Sequence, residues 1–235
     1  MTRSLVILGT GGSAYDVLDI VAAINQPSPT WRVSGFLDDS RPVGSRHLDI
    51  PVLGTLRDAA RFQDCWFISV IGSDASYRRR PEIVQSTNVP SERFATLVHP
   101  QASVSSWTKL GRGVYVAYGV SLAGGVTAGD HVSLCPGSIV GHDSVLSDCA
   151  LIAPGAIISG FVKVGRAAYI GAGSMIRQRL EVGEEALVGL GAVVTRDVAA
   201  GAVVVGNPAR PLRSAPPMES GPTDRLTSVS PRKAT

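Results

Sequence analysis

From Val98 to Val194 every sixth residue is apolar: Val98, Val104, Leu110 and Val116 open the series, and Ile176, Val182, Val188 and Val194 close it. Four places after each comes a second position that is small or β-branched except at Leu180. A period of six matches neither the 3.6 of a helix nor the 2 of an alternating strand. It matches a parallel β-helix of hexapeptides, in which each short strand turns one aliphatic plug toward the axis. Three hexapeptides make one triangular coil, so residues eighteen apart should stack one strand spacing apart, about 4.8 Å. The interior of such a prism is solid. Chemistry must then lie on its outside or between subunits.

Ahead of the repeat the pattern changes. Ser4 to Leu8 is a short apolar run ending in Gly9-Thr10-Gly11-Gly12-Ser13. The next residues, 14–25, put Val17, Leu18, Val21 and Ile24 on one helical face. A glycine turn between strand and helix lets backbone N–H groups meet a phosphate, although GxGG falls short of the full dinucleotide fingerprint. Close strand–helix packing is an alternative reason for those glycines. A second strand over 31–37 ends in Asp38 and Asp39, where a βαβ unit usually holds a ribose hydroxyl; two solvated strand-end carboxylates are the alternative. Another strand over 65–71 ends at Gly72-Ser73-Asp74, again an edge where ligands sit in open sheets. A helix over 81–86 and a strand over 92–98 follow, and His99-Pro100 turns the chain into the repeat. The expected division is a Rossmann-like α/β domain over 1–97, the β-helix over 98–212 and a disordered Ser/Pro-rich tail over 213–235.

Composition narrows the function. A net charge of +3 is mild, and no basic cluster with interleaved aromatics points to nucleic acid. Arg78-Arg79-Arg80 reads as a solvated helix start. No apolar run approaches the ~20 residues of a membrane span, and MTRSLVILGTGG lacks the features of a signal peptide. Cys65, Cys135 and Cys149 have no metal or redox spacing, which suits free thiols in a reducing cytoplasm.

Of the four histidines, His47 falls in a loop, His99 at the junction and His131 on the coil surface after Asp130. His142 follows the plug Val140 by two, so it points outward near a corner, with Asp143 beside it. Imidazole titrates near neutrality and suits removal of a proton during acyl transfer; a neighbouring carboxylate can fix its tautomer. Eighteen-residue stacking sets Gly124 and Gly160 on either side of His142, leaving a slot beside the ring. Gly160 could offer its N–H to a developing oxyanion.

The runs IVGHDSVL, IISGFVKVG, IGAGSMI and VVGNPARPL resemble the left-handed β-helix acyltransferases, and most closely the sugar O- and N-acetyltransferases of the sialic-acid and bacillosamine type. The left hand comes from that resemblance alone. It implies acetyl-CoA as cosubstrate without a metal, and a nucleotide-linked sugar as acceptor. His142 and Asp143 would be catalytic, with Gly160, Ala172, Asn207 and Arg210 along CoA. Gly11, Gly12, Ser13, Asp38, Asp39 and Gly72 would surround the acceptor, a UDP-sugar rather than NAD. Relatives often carry a second histidine nine residues after the first; Leu151 stands there, putting that polar contact to CoA in question. The resemblance also implies a homotrimer with active sites between subunits, and the flat faces are expected to meet through outward apolar residues such as Val126, Val132 and Val162. Two alternatives are a non-catalytic β-helix scaffold and a γ-carbonic-anhydrase-like metal enzyme. The latter needs three converging histidines, and only His131 and His142 lie well inside the coils.

Overall fold

The computed structural model describes residues 2–214. The tail expected from 213 onward therefore lies outside the described residues, apart from Arg213 and Ser214, which end a strand running from Arg210 to Ser214.

The N-terminal part is a five-stranded sheet. Strands β1 (Arg3–Leu8), β2 (Trp31–Leu37), β3 (Arg46–His47), β4 (Ile50–Gly54) and β5 (Cys65–Ser69) lie in the order β3-β4-β2-β1-β5. The β1–β2, β1–β5 and β2–β4 pairs are parallel, and only β3 is antiparallel. Leu5 to Leu8 are fully buried, as a strand covered on both faces requires. Helix α1 (Ser13–Asn25) covers the sheet through Ala14, Val17, Ile20 and Val21. Chain order reverses at β1, and this switch point sets the glycine turn beside the end of β5, where open α/β sheets bind ligands. The strand expected over 92–98 does not form as one piece. Residues Ser91–Arg93 make a 3-10 turn, Phe94 adds a single bridge to Phe67, and the chain then crosses to the β-helix at Leu97–Val98.

The six-residue pattern becomes a triangular prism of two-residue strands, all parallel from coil to coil. The first face runs from Ser103–Val104 to Val193–Val194, and the second from Lys109–Leu110 to Glu181–Val182. The third begins at Leu97–Val98 and ends with the antiparallel pair Ala202–Val205 and Arg210–Ser214. Register is eighteen: Leu122 pairs with Val140, Val140 with Ile158, and Ile158 with Ile176. Plugs from Val116 onward are buried, each contributing roughly 1.5–3 kcal/mol by leaving water. Val98, Val104 and Leu110 at the open end stay half-buried.

The strip expected to join subunits is not on the surface. Val126, Val132 and Val162 are fully buried in the prism core, because they belong to the second, inward-facing series. The outward apolar residues are instead those just before the plugs: Ile139, Met175 and Val145 are exposed, and Ile157 is half-buried.

A third series escapes the sequence pattern. Every sixth residue from Gly113 to Gly191 has positive φ, whether or not it is glycine. These are the prism corners. On the corner between the third and first faces all are glycine: Gly119, Gly137, Gly155, Gly173 and Gly191. On the corner between the first and second faces side chains take over after Gly125: Asp143, Phe161 and Arg179.

The α/β part sits on the third face. Leu5, Ala14, Val17 and Ile68 share one core with Leu97, Tyr115, Leu151 and Ala153. Arg80 and Arg78 are not solvated. Arg80, at the start of helix α2 (Arg80–Ser86), is buried and donates to the His131 carbonyl and to Ser133 Oγ, both at 2.7 Å. Arg78 reaches the Glu185 and Gly201 carbonyls, and Tyr77 Oη also donates to Glu185. Arg78 and Arg80 bolt one part of the chain to the other, while Arg79 is exposed.

Candidate active site

His142 stands where outward geometry requires, on the corner between the first and second faces. Its ring is 58% exposed, and Nδ1 lies 2.9 Å from Asp143 Oδ2. Asp143 has φ +57; Asp tolerates this left-handed conformation better than most side chains because its short carboxylate can bond locally. Its carboxylate leans over Gly125, where a Cβ would collide with Oδ1. With Nδ1–H donating to Asp143, the lone pair of Nε2 is left for a proton.

Three neighbours hold the ring. The imidazole meets the Phe161 ring edge-on, with centroids 4.8 Å apart, and the Arg179 guanidinium stacks on the far side of Phe161. Gly141 lets the chain close against the next coil, since a Cβ there would lie 2.5 Å from Gly160 N. Ser144, fully buried, donates to the Ser159 carbonyl and accepts from Val162 N–H, tying the corner to the coil below. Sequence reasoning passed over Gly141, Ser144 and Phe161; only Gly141, within Gly-His-Asp, left a trace.

The expected two-sided slot is one-sided. A Cβ on Gly160 would lie 2.7 Å from His142 Nε2, so the imidazole itself fills that space. Gly124 is open: a Cβ there would meet only Ser105 Oγ at 3.6 Å and Trp107 Cβ at 3.9 Å. Gly160 N–H makes no hydrogen bond among the described residues.

The other candidate residues fall into separate places. Ala172 is exposed on the all-glycine corner, not on that of His142 and Gly160. Asn207 and Arg210 are exposed at the C-terminal end, in and just after the turn that leads into the last strand. Gly11 and Gly12 form an exposed turn with open space above them, and Ser13 starts α1. Asp38 is engaged by its own chain. Its Oδ2 accepts from Thr10 N–H and Oγ1–H, and its Oδ1 from Ser40 N–H and Oγ–H. Burial pushes its carboxyl up, but these bonds outweigh it and hold it below the usual range. Asp38 therefore clasps the glycine turn. Asp39 spends one oxygen on Leu56 N–H at 2.9 Å and keeps the other. Arg41, which the sequence did not single out, reaches the turn through Thr10 Oγ1 at 2.9 Å. Gly72 is packed rather than open, because a Cβ would lie 2.6 Å from Leu151 Cδ1. Leu151 itself is buried between the two parts of the chain.

The other candidates inside the coils are less suited to the chemistry. His131 is buried edge-on to Phe94, and burial lowers its pKa. Burial pushes the Cys135 thiol up to about 11 and raises Cys149, so neither is a ready thiolate. Among the described residues no three His, Cys, Asp or Glu side chains gather as a metal site.

An exposed histidine–carboxylate pair on a hexapeptide prism, behind an α/β domain with an open glycine turn, defines a β-helix acyltransferase. The family profile described as the PglD N-terminal domain matches residues 4–84. Over 90% of the chain the fold superposes on the acetyltransferase domain of PglB from Neisseria gonorrhoeae FA1090, at 30% identity, covering 100% of that chain with TM-score 0.77. PerB from Caulobacter crescentus, solved with CoA and GDP-perosamine, is 27% identical with TM-score 0.76, over 90% of this chain and 98% of that one. WeeI from Acinetobacter baumannii AYE is also 27% identical, with TM-score 0.76, over 90% and 100%. No curated protein matches. The chain belongs to the left-handed β-helix sugar acetyltransferases.

Proposed function

We propose that the protein transfers an acetyl group from acetyl-CoA to an amine or hydroxyl of a nucleotide-linked sugar, with His142 as general base. The observation that carries this reading is the 2.9 Å contact between His142 Nδ1 and Asp143, which leaves Nε2 free beside the Gly160 backbone. The PglB domain has been solved with acetyl coenzyme A, and PerB with CoA and GDP-perosamine. In the reaction Nε2 takes the proton as the acceptor nitrogen or oxygen bonds to the thioester carbonyl carbon. The Gly160 N–H steadies the oxyanion. As the C–S bond breaks, the imidazolium returns its proton to the departing CoA thiolate, and the charge is balanced. Asp143 holds the ring and stabilises its charged form.

The working unit is a homotrimer with sites between subunits. Within one chain the glycine turn belongs to the part seated on the third face, while His142 is on the corner opposite that face. The cofactor residues divide likewise, Gly160 on one corner and Ala172 on another. A neighbour would complete both, and the exposed column of Ile139 and Met175 supports the reading. In the acceptor pocket Asp39, with a spare oxygen, is the better partner for a ribose hydroxyl than Asp38. Three free cysteines suit a reducing cytoplasm, where acetyl-CoA and nucleotide-sugars would be at hand. No described helix is long and apolar enough to cross a membrane.

The test is thiol release from acetyl-CoA with UDP-, GDP-, CMP- and dTDP-linked amino- and hydroxy-sugars. Release with at least one is expected; release with none contradicts the acceptor class.

A further inference from the structure

The corner that carries His142 has an unused aromatic. Trp107 lies on the same edge, two coils toward the N-terminal end, and is 80% exposed. Stacking by eighteen runs Trp107, Gly125, Asp143, so the indole and the catalytic pair are separated by two strand spacings, about 9.6 Å. Between them the Asp143 carboxylate covers Gly125, and Gly124 stays open. Gly124 and Gly125 carry no side chains, and the open side of Gly124 looks onto Ser105 and the Trp107 Cβ. The result is a step with an aromatic wall at one end and the His142–Asp143 pair at the other.

The two substrates of the proposed reaction cannot share one approach. The residues assigned to acetyl-CoA, Gly160, Ala172, Asn207 and Arg210, all lie on the C-terminal side of His142 along the prism. On that side Gly160 is closed by the imidazole. The acceptor is left with the N-terminal side, which is the step open at Gly124. Its nucleotide is held in the neighbour's α/β part, so the portion that crosses to His142 is the sugar.

We propose that Trp107 is a specificity-determining platform on which the pyranose ring of the acceptor stacks while its amine or hydroxyl reaches His142. The C–H face of a pyranose is apolar and matches an indole face, while its edge keeps the hydroxyls for water and backbone. The platform selects for a sugar attached to the nucleotide and is indifferent to the nucleotide itself. This inference rests on the acetyltransfer reading above.

The experiment compares wild type, Trp107→Ala and Trp107→Phe in the acceptor panel, with binding of the free nucleoside diphosphate measured alongside. Loss of an aromatic contact of this kind corresponds to about a three- to tenfold change. Trp107→Ala should raise the nucleotide-sugar KM by that factor. The KM for acetyl-CoA, the mass by light scattering and the affinity for the free diphosphate should stay the same, and Trp107→Phe should recover most of the loss. An unchanged nucleotide-sugar KM in Trp107→Ala overturns the proposal. So does an equal loss of affinity for the free diphosphate, which would seat the base on the indole, and so does a fall in mass, which would make Trp107 a subunit contact. If wild type releases no thiol with any acceptor, the acetyltransfer reading fails first and takes this inference with it.

Discussion

The prism has two corners that flank its first face, and they solve the same backbone problem in opposite ways. Both need positive φ once per coil, at every eighteenth residue. The corner next to the α/β part meets the need with glycine five times in succession, and nothing lies within 4 Å of a Cβ on Gly137, Gly155, Gly173 or Gly191. The other corner holds Asp143, Phe161 and Arg179 in the same conformation, at a cost of roughly 1–2 kcal/mol for each side chain forced there. One edge is smooth; the other accepts strain to present a carboxylate, an aromatic ring and a cation around His142. Strain is not confined to this edge, since His131, Cys149, Ala167 and Glu185 hold positive φ on the third corner; at the His142 corner the strained side chains surround an exposed imidazole.

The largest effect should come from filling the strained corner. Gly160→Val would put methyl groups where Nε2 now lies, so the ring must leave. Turnover should fall by about 10²–10⁴, the range for loss of a general base, with His142 still present. Near-normal kcat in steady-state assays would mean the ring is not needed in its observed position. On the smooth corner the expected failure is different. Ala172→Trp adds bulk on an exposed edge, and should raise the acetyl-CoA KM about tenfold, or 1.4 kcal/mol, with little change in kcat. Equal KM values would remove CoA from that edge.

Asp143 separates strain from chemistry. Asp143→Gly relieves a left-handed side chain, so stability in denaturant should hold or rise by up to about 1 kcal/mol. Turnover should nonetheless drop about 10- to 100-fold, as when a residue orienting a functional histidine is lost. A slower and also less stable variant would make Asp143 a structural residue.

A smaller effect lies off both corners. Burial, then Asp19, raises the Asp16 carboxyl to about 6. Its folded pKa exceeds the unfolded one, so the stability it contributes is present below about 3.8 and is lost as pH rises through about 6. Asp16→Asn should raise the Tm at pH 8 by a few degrees and leave it unchanged near pH 3.5. Because Asp16 is only half-buried, the gain should be about 1 kcal/mol, less than the shift alone would give. An equal gain at both pH values would point to packing instead of charge.

The strained corner also explains what the sequence could and could not disclose. The prism was legible because its plugs repeat chemically: Leu122, Val140 and Ile158 are interchangeable aliphatics, and their spacing alone sets eighteen-residue register. The corners were not, because positive φ is imposed by the coil and is met by residues as different as Gly155, Cys149 and Arg179. The pairing and outward placement of His142 and Asp143 were readable from adjacency and spacing, and the family resemblance supplied the role proposed for them. Gly160 was legible through stacking, but the sequence did not show that the space its missing side chain leaves is taken by the imidazole itself. Val126, Val132 and Val162 were misplaced outward although they fall on the inward series. The surroundings of Asp38 were not legible because a strand-end carboxylate looks the same in sequence whether it is free or, as here, accepts from four donors of its own chain. Arg80 looked solvated for a similar reason: its acceptors, His131 O and Ser133 Oγ, are some fifty residues away in the chain.

The central claim is that the side chain of His142 moves the proton and holds up nothing else. His142→Ala tests it most directly, with kcat, acetyl-CoA KM, Tm and mass measured on one preparation across a range of pH. The account expects kcat to fall by about 10²–10⁴, the acid limb of the rate profile to disappear, and the other three quantities to match wild type. Turnover within a few-fold of wild type, with mass and Tm unchanged, would contradict it.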